Sequence, residues 1–306
     1  MAPRVAVFVD RKVDWHGRQL RAALRRRGAE PVLLSLADCG FALDAASGLS
    51  LPGFDGALPA AALVKTIAAG SFEQVTMRLG VLHALREAGV PVFNDARAIE
   101  RCVDKSMTSF LLHRAGLPTP PTWSLESPEA AAAVVEREAG PGRPLVLKPL
   151  FGSQGRGLQL VEDAAGLPAA TAVGGVYYLQ RYVAGDGVGW RDWRVFVVGG
   201  KAVAAMIRHG VSWRTNAAQG ARCEGVAATG ELAALAVAAA AATGAGYAGV
   251  DIIRDAAGRF LVLEVNSNPA WAALQRVSAI NIAQALADHL LAAAGRRAEP
   301  ARLVEA

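Results

Sequence analysis

The chain has 306 residues, 53% of them hydrophobic and 19% charged, with a formal net charge of +5. That balance excludes a disordered chain, and the length suggests about two domains. Three widely spaced cysteines, Cys39, Cys102 and Cys223, exclude a disulfide framework and a zinc pattern and fit a reducing compartment.

No signal-peptide core follows Met1, and the longest apolar stretch, Leu232 to Ala242, falls well short of the roughly 20 residues a membrane span needs. The expectation is a cytoplasmic protein with no membrane partner. Arg4 to Asp10 reads as a buried strand, Gln19 to Arg27 as a helix stopped by Gly28, and Pro31 to Leu36 as a second strand. Arg21, Arg25, Arg26 and Arg27 read better as a solvated helix face than as a polyanion site, so no nucleic-acid partner is expected. Phe72 to Ala88 has a helical period, and Val90 to Asn94 is a short strand. This alternation predicts a small parallel α/β domain over residues 1–96. Asp10-Arg11-Lys12-Val13 stands where a dinucleotide-binding glycine motif would follow the first strand. Gly-Lys-Ser/Thr, His-Glu-x-x-His and Gly-x-Ser-x-Gly are all missing, which excludes a P-loop, a zinc hydrolase and a serine-hydrolase elbow.

Ala98 to Ala115 is helical in period, with Asp104 placed to cap a fresh helix just before Lys105. Leu117 to Pro121 is a stiff extended linker, and Ala130 to Glu138 a short helix. Pro144 to Lys148 reads as a strand, Phe151 to Gly157 as a glycine-rich loop and Leu158 to Val161 as a returning strand. Such a hairpin lid frees backbone N–H groups toward an anion, and Lys148 at its base can reach a phosphate. By itself it reads equally well as a surface hairpin. Val176 to Val183 is a strand, and Val195–Val198 and Ala202–Ile207 form a hairpin about Gly199-Gly200. Trp213 to Asn216 opens a loop of small residues up to Gly225, and Glu231 to Thr243 is an alanine-rich helix.

Gly249 to Arg254 and Leu261 to Asn266 read as two strands joined by a turn at Asp255 to Gly258. Glu264 and Asn266, two apart, share a face. With Asp251 opposite they make three oxygen donors of the kind a hard cation takes. An isolated Glu-x-Asn is more often a polar strand end. Ile280 to Ala293 is a last helix, and the chain from Gly295 reads as a frayed tail. Only five of the 32 basic residues are lysines, so Lys105 and Lys148 mark places where a compact ammonium is wanted.

In order, the motifs are Asp104-Lys105, Ala115 to Pro120, Leu147-Lys148-Pro149, Gly152-Ser153-Gln154-Gly155-Arg156-Gly157, Gln180-Arg181-Tyr182-Val183, Asp192-Trp193-Arg194, Ala205 to Arg208, Asp251 and Glu264 to Pro269. This series resembles the ATP-grasp superfamily, and within it the RimK-like α-L-glutamate ligases. The resemblance implies an α/β (α+β) ATP-grasp fold: an N-terminal α/β domain (1–96), a lid subdomain (97–175), a C-terminal subdomain (176–295) and a tail (296–306). It implies that ATP is bound by Lys105, Lys148, Gly152, Ser153, Gln154, Gly155, Gly157, Gln180, Arg181, Tyr182, Val183 and Asp192. Arg194 and Arg208 would contact the transferred phosphoryl group or the acceptor carboxylate, and Asp251, Glu264 and Asn266 would hold Mg2+ or Mn2+. Arg214, Asn216 and Asn268 would lie near the acceptor. The implied reaction converts a carboxylate to an acyl phosphate, which the amine of glutamate then attacks. Gly210 to Ala221 and Arg97 to Pro121 are similar to the tetrahydromethanopterin:glutamate ligase branch. That branch implies a small-molecule acceptor together with an amino acid, and a homo-oligomer, dimer or tetramer. The run Gly185 to Trp190 departs from the pattern and leaves the acceptor side open. Trp190, Trp193 and Trp213 read as packing residues more readily than as a stacking platform for a flat acceptor. The alternatives are a RimK-like ligase for a protein C-terminus or another small acid, and a non-catalytic ATP-binding module.

Overall fold

The computed structural model describes residues 2–10, 14–152, 155–185, 187–215 and 220–298. The chain begins with β1 (Arg4–Phe8), α1 (Trp15–Arg26) and β2 (Glu30–Leu34), then a small hairpin of β3 (Gly40–Phe41) and β4 (Leu49–Ser50). It continues with β5 (Ala61–Val64), α2 (Phe72–Glu87) and β6 (Val92–Phe93). Strands β2-β1-β5-β6 form one parallel sheet. β5 has no counterpart in the sequence reading: its four residues are all fully buried, and so short an alanine-rich run shows no strand period. α1 starts where Asp14 accepts a hydrogen bond from Gly17 N at 2.6 Å, and its last turn carries Arg25 and Arg26 against the helix dipole. α2 opens on a capping box between Ser71 and Gln74.

Next come α3 (Ala96–Val103) and α4 (Lys105–Arg114), one helical period broken at Asp104. The Asp104 carboxylate accepts from Ser106 N and Met107 N at 2.8 and 3.1 Å, which starts α4 and puts Lys105 at its first position. β7 (Thr122–Leu125), α5 (Pro128–Glu138), β8 (Leu145–Lys148), β9 (Gln159–Val161) and β10 (Tyr177–Arg181) follow. β7-β10-β8-β9 make an antiparallel sheet, with α5 packed on it. β7 emerges directly from the proline-rich linker and was not legible as a strand.

The third sheet holds β11 (Arg191–Val198), β12 (Lys201–His209), β13 (Arg222–Val226), β14 (Tyr247–Arg254) and β15 (Phe260–Asn266), in the order β13-β12-β11-β14-β15. The β11–β12 turn puts Gly199 and Gly200 at φ +56° and +75°, the pair of left-handed residues that a two-residue turn of this twist requires. β13 corrects the expected loop: residues 222–225 pair along the edge of β12, and glycine and polar residues on an edge strand hide the alternation. α6 (Gly230–Thr243) covers one face of this sheet through Leu232, Leu235, Ala236, Ala239 and Ala240. Each buried leucine there contributes about 2 kcal/mol. α7 (Ala272–Arg276) and α8 (Ile282–Ala298) close the described chain, and α8 runs past Gly295, where a tail was expected. α8 and α1 join the N-terminal sheet to the opposite face of the third sheet in one core that includes Val7, Leu63, Phe196, Tyr247 and Trp271. Among the described residues no helix is long and apolar enough to cross a membrane.

Candidate functional site

The second and third sheets face each other across a cavity. Its lining includes Lys105, Lys148, Gly152, Gly155, Gln180 to Val183, Asp192, Arg208, Asp251, Leu263 and Glu264. The third sheet supplies its polar floor by register. Asp192 on β11 pairs with Arg208 on β12, Arg194 on β11 with Asp251 on β14, and Asp251 with Glu264 on β15. Cross-strand partners share a face, so these five side chains lie on one side of the sheet. Farther along β11 the same face turns apolar at Phe196 and Val198 and enters the core against α8. Between Asp251 and Ile252 the register with β15 shifts, from Glu264 to Val262, which leaves Leu263 without a cross-strand partner. This bulge lets consecutive residues, Leu263 and Glu264, both line the cavity.

Lys148 ends β8 with its ammonium donating to Gln180 Oε1 at 2.6 Å, 5.9 Å from the Tyr178 ring. Gln180 Nε2 in turn donates to Thr122 Oγ1 at 3.0 Å, and Tyr178 Oη shares a 2.7 Å hydrogen bond with Ser109 Oγ. Burial lowers the Lys148 pKa to about 8. Lys105 donates to the carbonyls of Leu150 and Gly152 at 3.2 and 3.0 Å, tying the first turn of α4 to the start of the glycine loop; burial lowers its pKa too.

The two arginines differ. Arg194 holds Asp251 with Nε and Nη2, both at 2.6 Å, and its side chain is 14% exposed. Arg208 is 3% exposed and lies between two carboxylates, with Nε 2.7 Å from Asp192 Oδ1 and Nη2 3.1 Å from Asp251 Oδ1. Burial opposes ionisation of Asp251, but Arg194 and Arg208 outweigh it and hold the carboxyl below its ordinary range. Asp192 is pushed up by burial despite Arg208. Glu264 has no hydrogen bond or ion pair among the described residues, and burial, then the charge of Asp251, push its pKa up against the pull of Lys105 and Lys148. A half-buried carboxylate with no side-chain partner among the described residues, under the charge of two lysines, is an oxygen donor suited to a hard cation. Asn266 commits Nδ2 to Gly249 O at 3.2 Å, which leaves Oδ1 as a second donor. Among the described residues no group of three or more His, Cys, Asp or Glu is placed to hold a metal.

Of the residues singled out from sequence, Arg214 also lines the cavity, and its Nη2 donates to Leu158 O at 2.6 Å, bridging to the return of the glycine loop. Arg194, Gly157, Asn266 and Asn268 are not part of the lining. Asn268 turns its carbonyl to Lys65 of the N-terminal domain at 3.4 Å. Ser153, Gln154 and Asn216 lie outside the described residues. Sequence reasoning left out the apolar residues Val146, Ile253 and Leu263 and the mouth residues Trp190, Trp213 and Thr215 as site residues. For Ile253 the signal is its place two residues beyond Asp251 on one strand; for Leu263 a bulge erases it. Trp193, weighed as a stacking platform, packs in the core against Phe260.

A profile of the RimK-like ATP-grasp domain matches residues 102–290. The tetrahydromethanopterin:alpha-L-glutamate ligase of Methanococcus maripaludis is 38% identical over 208 residues, 66% of this chain and 70% of that protein. The enzyme of the same name from Methanosarcina acetivorans is 29% identical over 94% of this chain and 98% of its own length. Among solved structures, the ATP-grasp ligase PsnB complexed with precursor peptide PsnA2 and AMPPNP superposes with a TM-score of 0.72 at 23% identity, covering 96% of this chain and 97% of its own. Further structures of this fold hold leader, core or precursor peptides. These peptide complexes correct the expectation of a small-molecule acceptor. Most of the motifs that carried that expectation line the inner wall of the cavity, away from its exposed rim.

Proposed function

The chain belongs to the RimK-like ATP-grasp family and is an ATP-dependent carboxylate–amine ligase, and on that premise we propose that it activates a carboxylate of a polypeptide and joins it to the amine of L-glutamate. The observation that carries the reading is the cavity floor, where Lys105, Lys148 and the unpartnered Glu264 converge. The cavity opens past Gly185, Gly189, Trp190, Trp213 and Arg214, beside the well-exposed Val188 and Val211, a rim suited to an extended chain.

Lys105 and Lys148 neutralise phosphate charge, and the loop from Gly152 to Gly157 covers it. Gln180 positions the Lys148 ammonium, and Arg181 to Val183 border the adenine with Ile253 and Leu263 as apolar floor. Glu264, Asn266 Oδ1 and Asp251 would hold Mg2+, which would supply charge neutralisation for the nucleotide phosphates. The substrate carboxylate oxygen takes the γ-phosphoryl group and ADP leaves. The amine nitrogen then attacks the acyl carbon, the C–O bond to phosphate breaks, and the nitrogen loses a proton. Arg194, bound to one carboxylate and partly exposed, meets the transferred group. Arg208, locked by Asp192 and Asp251, positions Asp251. Closure of the loop keeps water from the acyl phosphate.

The test is ADP release and mass analysis with ATP, Mg2+, glutamate and a peptide panel. Peptide-stimulated ADP release with a peptide heavier by one glutamyl unit is expected. Mass gain on small acids alone would overturn the polypeptide reading, and ATP binding without any coupled product would overturn ligase activity.

A further inference from the structure

We propose that Lys65 and Asn94 of the N-terminal domain are positioning residues for the ligase reaction, because they clip the open end of the β14–β15 hairpin. The proposal rests on the reading of Asp251, Glu264 and Asn266 as metal ligands.

The Asn94 side chain, just beyond β6 and 1% exposed, reaches both strands of that hairpin. Its Nδ2 donates to Tyr247 O at 2.7 Å and to Ser267 O at 2.5 Å, and its Oδ1 accepts from Tyr247 N at 3.1 Å. Tyr247 is the first residue of β14 and Ser267 the first after β15. One amide thus spans the two chain ends that must stay together for Asp251 and Glu264 to face each other. The Tyr247 hydroxyl adds a hydrogen bond to Val64 O, at the end of β5.

Lys65 continues the grip one residue along the turn. Its ammonium donates to Asn268 O at 3.4 Å and sits 5.5 Å from the Trp271 ring, while His16 Nε2 accepts from Trp271 N at 3.3 Å. Burying this ammonium is costly, and burial lowers its pKa to about 8. One long hydrogen bond, a ring contact and the charge of Asp14 do not outweigh that burial, which suits a residue retained for geometry.

The held turn touches the reacting groups. A Cβ on Gly249 would fall 2.8 Å from Pro269 Cβ and 3.6 Å from Arg194 Cδ, so turn, strand and arginine meet at that glycine. Asn266 Nδ2 is bonded to the same Gly249. A shift of residues 267–269 therefore displaces Asn266 and Arg194 together, although Lys65 and Asn94 touch neither the nucleotide cavity nor its lysines.

The experiment uses the full chain with Lys65→Met, Asn94→Ala and the conservative Lys65→Arg. Hydrogen exchange of the 260–271 segment, Mn2+ affinity in the presence of ATP, metal-free ATP affinity and turnover are measured together. Lys65→Met and Asn94→Ala are expected to speed exchange at 262–266, weaken Mn2+ and lower kcat, each by about tenfold, with metal-free ATP affinity within twofold. Lys65→Arg restores at least half of the lost Mn2+ affinity. Exchange and Mn2+ affinity within twofold of the parent overturn the proposal. So does faster exchange spread evenly over all three sheets with a lowered unfolding midpoint, which marks a merely structural role. Should the parent's Mn2+ affinity be indifferent to Glu264→Gln, the metal reading fails on its own, and exchange and kcat still decide for or against the clip.

Discussion

Glu264→Gln and Asp251→Asn, two isosteric changes at positions paired across one hairpin, should move stability in opposite directions. In the metal-free protein Glu264 is a carboxylate that burial, then the Asp251 charge, push above its ordinary 4.5. A carboxyl raised in the fold contributes stability below its unfolded pKa and loses it as pH rises through the folded value. At pH 8 the charge is therefore a cost, and glutamine removes it at nearly constant volume. Metal-free Glu264→Gln should gain about 1 kcal/mol, a rise in Tm of about 2–4 °C. Asp251 is depressed by Arg194 and Arg208, so its contribution is present above its unfolded pKa and lost as pH falls through the folded one. Asp251→Asn strips the shared counter-charge from both arginines, which costs about 3 kcal/mol and lowers Tm by about 6–12 °C. At a hundredfold excess of Mg2+–ATP over Kd the parent gains about 2.7 kcal/mol, and both variants lose the Mg2+-dependent share of it. Calorimetric scans with and without Mg2+ and ATP, beside ADP release, read all of these. A metal-free Glu264→Gln protein melting below the parent, or one that keeps the full Mg2+-dependent gain, would refute the reasoning.

Lys148 titrates near 8, and phosphate charge favours its ammonium, so ATP binding takes up a proton above that pH. ATP affinity should fall by up to about tenfold from pH 8 to 9, and Lys148→Met should bind more weakly with a flatter profile; a flat parent profile in calorimetry would contradict this. Gly249→Ala forces Pro269 away from β14 and should cost about 1–3 kcal/mol with a clear fall in kcat; denaturant midpoints and turnover equal to the parent's would show that the contact yields freely. Arg214→Ala cuts the 2.6 Å bond to Leu158 O and loosens the cover over the phosphates. ADP formed per amide product should then rise above one as water reaches the acyl phosphate, and a ratio held at one would count against this role.

Much of the cavity lining was legible because residue type and local backbone coincide there. Asp104 ends one helix and caps the next, which presents Lys105. Gly199-Gly200 forces the hairpin that brings Arg208 back beside Asp192. Asp251, Glu264 and Asn266 announce a polar strand end. Sequence could not give partner choice across strands. Asp192 and Arg194, two apart, read as one motif, with Asp192 assigned to ATP and Arg194 to the transferred group, and sequence could not show that register sends Asp192 to Arg208 and Arg194 to Asp251. The bulge that turns Leu263 into the cavity, the short buried β5 and the edge strand β13 follow from sheet order, which no local period encodes. The small-molecule acceptor was read from motifs on the inner wall of the cavity, and residues at its rim such as Gly189 and Trp190 carry no comparable local signal.

The register also explains why one carboxylate stands apart. Three acids and four basic side chains share this floor. Asp192 is spent on Arg208, and Asp251 is shared by Arg208 and Arg194. Glu264 alone is left to Coulomb attraction from two lysines that are themselves desolvated. On the proposed reading, a divalent cation taken by Glu264 and Asn266 would compete with Arg194 for Asp251, since both need the same lone pairs. Asp192 anchors Arg208, so Arg208 would keep Asp251 in place. The guanidinium released would be Arg194, the more exposed of the two. Holding the metal and freeing an arginine for the transferred phosphoryl group would then be linked on one carboxylate, with Asp192 holding the second arginine still.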